Sequence, residues 1–340
     1  MHGLLWEEVR TGRLSLPHDA EVVLAKLQLQ TRAHHERLWQ SLERTVDLYE
    51  TAGLEVATAK GVTAEARWYP TMGARPSVDV DLLLRPSDIL RSSEAVAMTE
   101  PGHRLRASVT SLATAGNLQS VDLRDDLASH IDLHFDILKY EVKTRQGQVI
   151  WDRTKFFETP NGRQVRVLDP ETSLILFLLH LNKDRFSYLL GLADVVRLVG
   201  QEDLDWGFID RFLRTEGLDT HLYLALDTVF ETLDLPAPAH PAPSGWRAAA
   251  WRGLWPESVR LGGDLGLLSH HRRQYWIGAT ARGRFSEAIW RWTRRLFPNH
   301  VLVDYYFPDL SGPYLWHLVR GRLRSGRERR AVVVGLEDDT

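Results

Sequence analysis

The sequence predicts an α+β protein: a strand-and-helix region to about residue 169, then a helical region. Three observations carry this. Val78–Leu84 and Ser129–Tyr140 alternate apolar and polar side chains with the two-residue period of strands. From Pro170 onward the apolar spacing becomes helical, over Glu171–Leu181, Tyr188–Val199, Trp206–Glu216 and Thr220–Leu233. A proline-rich connector, 235–243, then separates these helices from a tryptophan- and arginine-rich stretch.

Taken in order, Glu21–Thr51 reads as one or two helices, with Leu38, Leu42, Val46 and Tyr49 at helical spacing and Gly53 as the stop. A short β-like stretch, Leu54–Ala59, leads to Lys60-Gly61 and a helical turn or two ending near Tyr69-Pro70. The loop Thr71–Ser77 carries Gly73 and Pro76 and is expected to be irregular. The expected organisation is N-terminal helices over 1–52 packing on a core over 53–169. A helical bundle region over 170–235, a C-terminal helical region over 244–330 and a tail over 331–340 follow.

At 340 residues the chain can bury a substantial core. It has no cysteine, which excludes disulfides, thiolate zinc sites and cysteine nucleophiles. No apolar run approaches the roughly 20 residues of a membrane span, and Met1–Arg10 lacks the sustained apolar stretch of a signal peptide. A cytoplasmic protein with no membrane partner is expected. The net charge of -3 predicts no strong overall attraction to nucleic acid. Arginines cluster between Arg282 and Arg330, either as a phosphate- or RNA-facing region or as a solvated helix face. The tryptophans between Trp246 and Trp316 suit packing better than base stacking.

The chemistry concentrates on the two strands. In Val78-Asp79-Val80-Asp81-Leu82-Leu83-Leu84, alternation puts Asp79 and Asp81 on one face and Val78, Val80, Leu82 and Leu84 on the other. Two such carboxylates lie ~7 Å apart at Cα, close enough to share hard cations, although an exposed sheet face would show the same pattern. In the second strand His130, Asp132, His134 and Asp136 share a face, and Asp132 is the candidate third carboxylate of a two-metal phosphoryl-transfer site. His130 and His134 read as half-buried strand residues or, alternatively, as zinc ligands. Lys60-Gly61 follows a strand, where a glycine lets backbone approach a phosphate closely. Lys60 and Arg75 are candidate phosphate contacts or surface charges, Arg75 being favoured because a guanidinium can grip phosphate through two bonds.

Together, Ala59-Lys60-Gly61, Trp68-Tyr69-Pro70, Ala74-Arg75-Pro76, Asp79-Val80-Asp81-Leu82-Leu83-Leu84 and Asp132-Leu133-His134 resemble the bacterial "uncharacterised nucleotidyltransferase" family of the DNA polymerase beta superfamily. Leu179-His180-Leu181 with Leu189–Asp194, and Leu296-Phe297-Pro298 with Tyr305–Pro308, extend the likeness. The resemblance implies a mixed β-sheet nucleotidyltransferase core with flanking helices, followed by a helical C-terminal region. It implies that Gly61 helps hold an NTP, that Asp79 and Asp81 bind magnesium, and that Asp132 completes a two-ion site and activates an attacking hydroxyl. One departure is Val62 after Gly61, where the wider superfamily has glycine or serine, so no hydroxyl is available at that position.

The expected function is therefore magnesium-dependent transfer of an NMP from an NTP to a hydroxyl acceptor, whether RNA, peptide, protein or small molecule. A catalytically silent nucleotide- or partner-binding module on the same fold is the alternative.

Overall fold

The computed structural model describes residues 2–88, 120–124, 129–137, 144–183 and 189–241, with a few positions near 91–95 and 245–249. The arginine cluster, the motifs at 296–308, nearly all of the region 244–330 and the tail 331–340 lie outside the described residues.

The chain begins with α1 (His2–Arg10), packed on the long α2 (His18–Thr51), so the N-terminal helical pattern is one 34-residue helix. Its end is chemically explicit. Gly53 takes φ +69°, Gly53 N donates to Glu50 O and Leu54 N to Tyr49 O, which satisfies carbonyls that the last turn leaves without partners. Next come β1 (Val56–Thr58), α3 (Val62–Trp68), β2 (Asp79–Leu84), β3 (Ser120–Arg124) and β4 (His130–His134). The sequence did not announce α4 (Gly147–Asp152) or the hairpin of β5 (Lys155–Glu158) and β6 (Gln164–Val167). Four helices follow: α5 (Pro170–Lys183), α6 (Leu189–Gln201), α7 (Trp206–Glu216) and α8 (Asp219–Thr232).

Among the described residues six strands form one mixed sheet in the order β3-β4-β2-β1-β6-β5. The central β2 pairs antiparallel with β1 and parallel with β4, and that register sets Asp81 opposite Asp132. On the far side of β4, Asp122 of β3 takes the register position opposite Asp132, so one row across three strands reads aspartate throughout.

Two apolar layers clasp the sheet. Leu38, Leu42, Val46 and Tyr49 of α2 pack on Val56, Val80, Leu82, Leu84, Ile131, Leu133, Val165 and Val167. The opposite face carries Ala57 and Leu83 into a second cluster with α3 and the helices α5 to α8. Each buried leucine or valine contributes about 1.5–3 kcal/mol, so these layers outweigh the cost of burying a few polar groups between them. Alternation along β2 places Asp79, Asp81 and Leu83 on the face toward the helices.

Two expectations are corrected. The second strand ends at His134, short of the expected Tyr140. Asp136 leaves the row to accept bonds from the backbone and hydroxyl of Thr144. Val78, expected to share the strand's apolar face with Val80, Leu82 and Leu84, precedes the strand and is exposed.

The helical region is tied to the sheet region through α3. Trp68 Nε1 donates to Glu202 Oε1 at 2.9 Å and Gln201 Nε2 to Trp68 O at 3.1 Å.

Candidate metal centre

Asp81 is more enclosed than Asp132, with a side chain 1% exposed against 19%. Its Oδ1 lies 2.8 Å from Lys60 Nζ and 3.0 Å from His134 Nε2. The same His134 nitrogen is 3.1 Å from Asp132 Oδ2, so one imidazole N–H is shared by two carboxylates of adjacent strands. Burial by itself would push the Asp81 carboxyl up. Lys60 and then His134 overcome that and hold it well below the ordinary carboxylate range. Burial likewise opposes charge on Lys60 and His134, yet the facing carboxylates raise both. Asp79, half-buried, is raised, first by burial and next by the charge of Asp81.

Asp81, Asp132 and His134 each hold a potential ligand atom within 4.8 Å of one another, the two carboxylates as they stand and the imidazole nitrogen only once it gives up the shared proton. Asp79 stands outside that group and acts on it through its charge. His130, the other strand histidine, is exposed. The donor set fits a divalent cation, because Asp81 Oδ2 is buried and has no hydrogen-bond partner among the described residues. An uncompensated carboxylate oxygen costs several kcal/mol in such a place unless a cation or donor faces it, and carboxylates suit a hard ion.

Gly61 borders this oxygen. Ala59 N donates to Asp81 O at 3.1 Å, which starts the Lys60-Gly61 turn directly beside the acid. Gly61 adopts φ +69° and ψ -132°, and a Cβ there would stand 3.3 Å from Asp79 O, 3.3 Å from Ser77 Oγ and 3.8 Å from Asp81 Oδ2. The turn can lie this close to the start of β2 because the residue has no side chain.

A family model described as "uncharacterised nucleotidyltransferase" matches the chain over residues 1–234. The chain belongs to the uncharacterised nucleotidyltransferase family. No curated protein and no solved structure gives a significant match. The family match spans Lys60-Gly61, Asp79, Asp81 and Asp132, together with the mixed sheet that carries them. Among the described residues no helix is long and apolar enough to cross a membrane. A nucleotidyltransferase with a buried Asp-Asp-His group able to hold a metal is thus what family and geometry jointly support.

Arg75 is placed otherwise than expected. Its Nε and Nη2 donate to Asp194 Oδ1 and Oδ2, both at 2.8 Å, and Tyr69 Oη donates to Asp194 Oδ1 at 2.6 Å. The fork expected to grip phosphate is therefore occupied by α6. Burial works against the guanidinium charge, but Asp194 raises it beyond its ordinary value. Only Nη1 turns toward the site, with long contacts of 3.5 Å to Gly61 O and 3.4 Å to Ser77 Oγ. Arg75 thus braces the Gly61 turn against the helical region, and Asp194 is its anchor.

Two further residues were missed. Glu65 Oε1 accepts from the backbone N–H groups of Gly73 and Arg75 at 2.7 and 2.9 Å. Its Oε2 lies 2.6 Å from His35 Nδ1, while Ser77 N donates to His35 Nε2 at 3.1 Å. Since Nε2 accepts, the ring proton sits on Nδ1 and is donated to Glu65. This buried pair fixes the whole loop that leads into β2. Nothing local in the sequence joins His35 to Glu65, whereas alternation alone already put His134 on the face of Asp132.

Proposed function

We propose that the protein transfers an NMP from an NTP to a hydroxyl acceptor, with magnesium held by Asp81 and Asp132 and Asp79 adding its charge. The observation that carries this reading is the partnerless, buried Asp81 Oδ2 facing the side-chain-free turn at Gly61, with the Asp132 carboxylate opposite in register. That arrangement provides for a cation and a polyphosphate side by side.

In the reaction, the acceptor oxygen forms a bond to the α-phosphorus and the bond from that phosphorus to the bridging oxygen of the β-phosphate breaks. Pyrophosphate leaves. The hydroxyl proton passes to Asp132, whose side chain is 19% exposed against 1% for Asp81 and so is the one an acceptor can reach. When bound, magnesium supplies charge neutralisation at the attacking and departing oxygens. His134 orients both carboxylates through its shared N–H, as a partner that fixes metal ligands commonly does. Gly61 leaves room for the triphosphate, and Lys60, 18% exposed, places positive charge at the same edge. The chain's contribution is positioning and electrostatics, with no covalent intermediate.

The test is incubation with each α-labelled NTP and magnesium in an extract of the source cells. The reading expects label to appear on one acceptor, dependent on magnesium, with pyrophosphate released in equal amount. Label lost as free NMP, or release that proceeds without a divalent cation, would contradict it.

A further inference from the structure

The residue after Gly61 is Val62, which is buried in the apolar layer and offers a phosphate nothing. The next hydroxyl, Thr63, is spent internally: it donates to Lys60 O at 2.9 Å and lies 3.0 Å from Thr58 Oγ1. If a hydroxyl serves the turn, it must come from elsewhere in the chain.

Ser77 meets that need from the opposite strand entrance. Its Oγ lies 3.3 Å from where a Cβ on Gly61 would be, and Asp81 Oδ2 lies 3.8 Å from the same point, so both oxygens flank the Gly61 turn. Its backbone is held by the His35–Glu65 pair, which removes most of the freedom a loop serine would have. Arg75 Nη1 donates to this oxygen at 3.4 Å. That occupies a lone pair with a cationic donor, and the hydroxyl proton has no acceptor among the described residues. A hydroxyl that is positioned, backed by a guanidinium and left with a donor to spare is suited to an anion.

We propose that Ser77 Oγ donates a hydrogen bond to the pyrophosphate portion of the bound NTP, supplying the hydroxyl that position 62 lacks. The assignment rests on the nucleotidyl-transfer reading. Arg75 acts through Ser77, as a positioning residue, and reaches the phosphates at second hand.

Titration of the full chain with magnesium tripolyphosphate, followed by calorimetry, tests this without requiring the acceptor. Ser77→Ala is expected to weaken binding by at least about tenfold, the size of a hydrogen bond to a charged group. Ser77→Thr, which restores the hydroxyl, should bind within about threefold of the native protein, and both variants should unfold at the native denaturant midpoint. Native affinity in Ser77→Ala, or equal loss in Ser77→Thr, would overturn the assignment and leave the transferase reading standing. A lowered unfolding midpoint in Ser77→Ala with unchanged affinity would make the residue purely structural. Native protein that binds neither magnesium tripolyphosphate nor any magnesium NTP would remove the transferase reading, and this assignment with it.

Discussion

Arg75 and Asp194, 119 positions apart in sequence, meet through two 2.8 Å hydrogen bonds in a buried, fork-to-carboxylate geometry. The pair joins the loop before β2 to α6, and through Nη1 it reaches the carbonyl of Gly61. The turn beside the candidate metal centre is therefore held partly by the helical region.

Breaking that pair from one side leaves a buried charge without a partner. Arg75→Ala and Asp194→Ala should each lower unfolding free energy by about 3–5 kcal/mol, read from denaturant midpoints. The double replacement Arg75→Met with Asp194→Leu should recover a large part of the loss, because the cost lies in the stranded charge. Native stability in either single variant would contradict the role given to the pair.

Glu65→Ala would strand the N–H groups of Gly73 and Arg75 and unseat His35. At about 1–3 kcal/mol for each buried group left unsatisfied, a loss of several kcal/mol is expected in the same unfolding assay. Glu65→Gln keeps an acceptor oxygen for the two backbone donors and should lose less.

Gly61→Ala adds a Cβ at φ +69° against Asp79 O and Ser77 Oγ. The backbone strain is worth about 1–3 kcal/mol of stability. On the nucleotidyl-transfer reading, turnover is expected to fall much further than that loss explains, since the methyl group stands where the turn would meet the triphosphate. Steady-state pyrophosphate release in parallel with unfolding separates the two effects.

Away from the site, His240 Nε2 lies 2.8 Å from Asp227 Oδ1, and the ring stacks on Tyr223 with centroids 4.8 Å apart. The bond to Asp227 raises the imidazole above its ordinary 6.5, against a smaller opposing effect of burial. A group raised on folding contributes fully below its unfolded value and loses that contribution as pH climbs through its folded value. The stability difference between native protein and His240→Gln should therefore be largest below about pH 6 and shrink at alkaline pH. A difference that grows with pH would refute the assignment.

Much of the frame was legible because period carries it. Helix α7 occupies the expected Trp206–Glu216, and β2 differs from expectation by the single residue Val78. The face shared by Asp79 and Asp81, and that of Asp132 with His134, followed from alternation. The partnership of Asp81 with Asp132 did not, since it depends on which strands become neighbours. The hairpin β5–β6 went unseen because Lys155–Glu158 is mostly exposed and alternates weakly. The partner of Arg75 was hidden for a related reason. A guanidinium beside a metal strand suits a phosphate and a buried carboxylate equally, and only the position of Asp194 decides between them.

The most direct test of the central claim is pyrophosphate release from NTP and magnesium, measured for native protein, Asp81→Asn and Asp132→Asn side by side. The structure predicts magnesium-dependent release that falls by at least about 100-fold in each variant, with the fold retained. Release at the native rate from either variant would show that these two carboxylates do not form the catalytic metal centre.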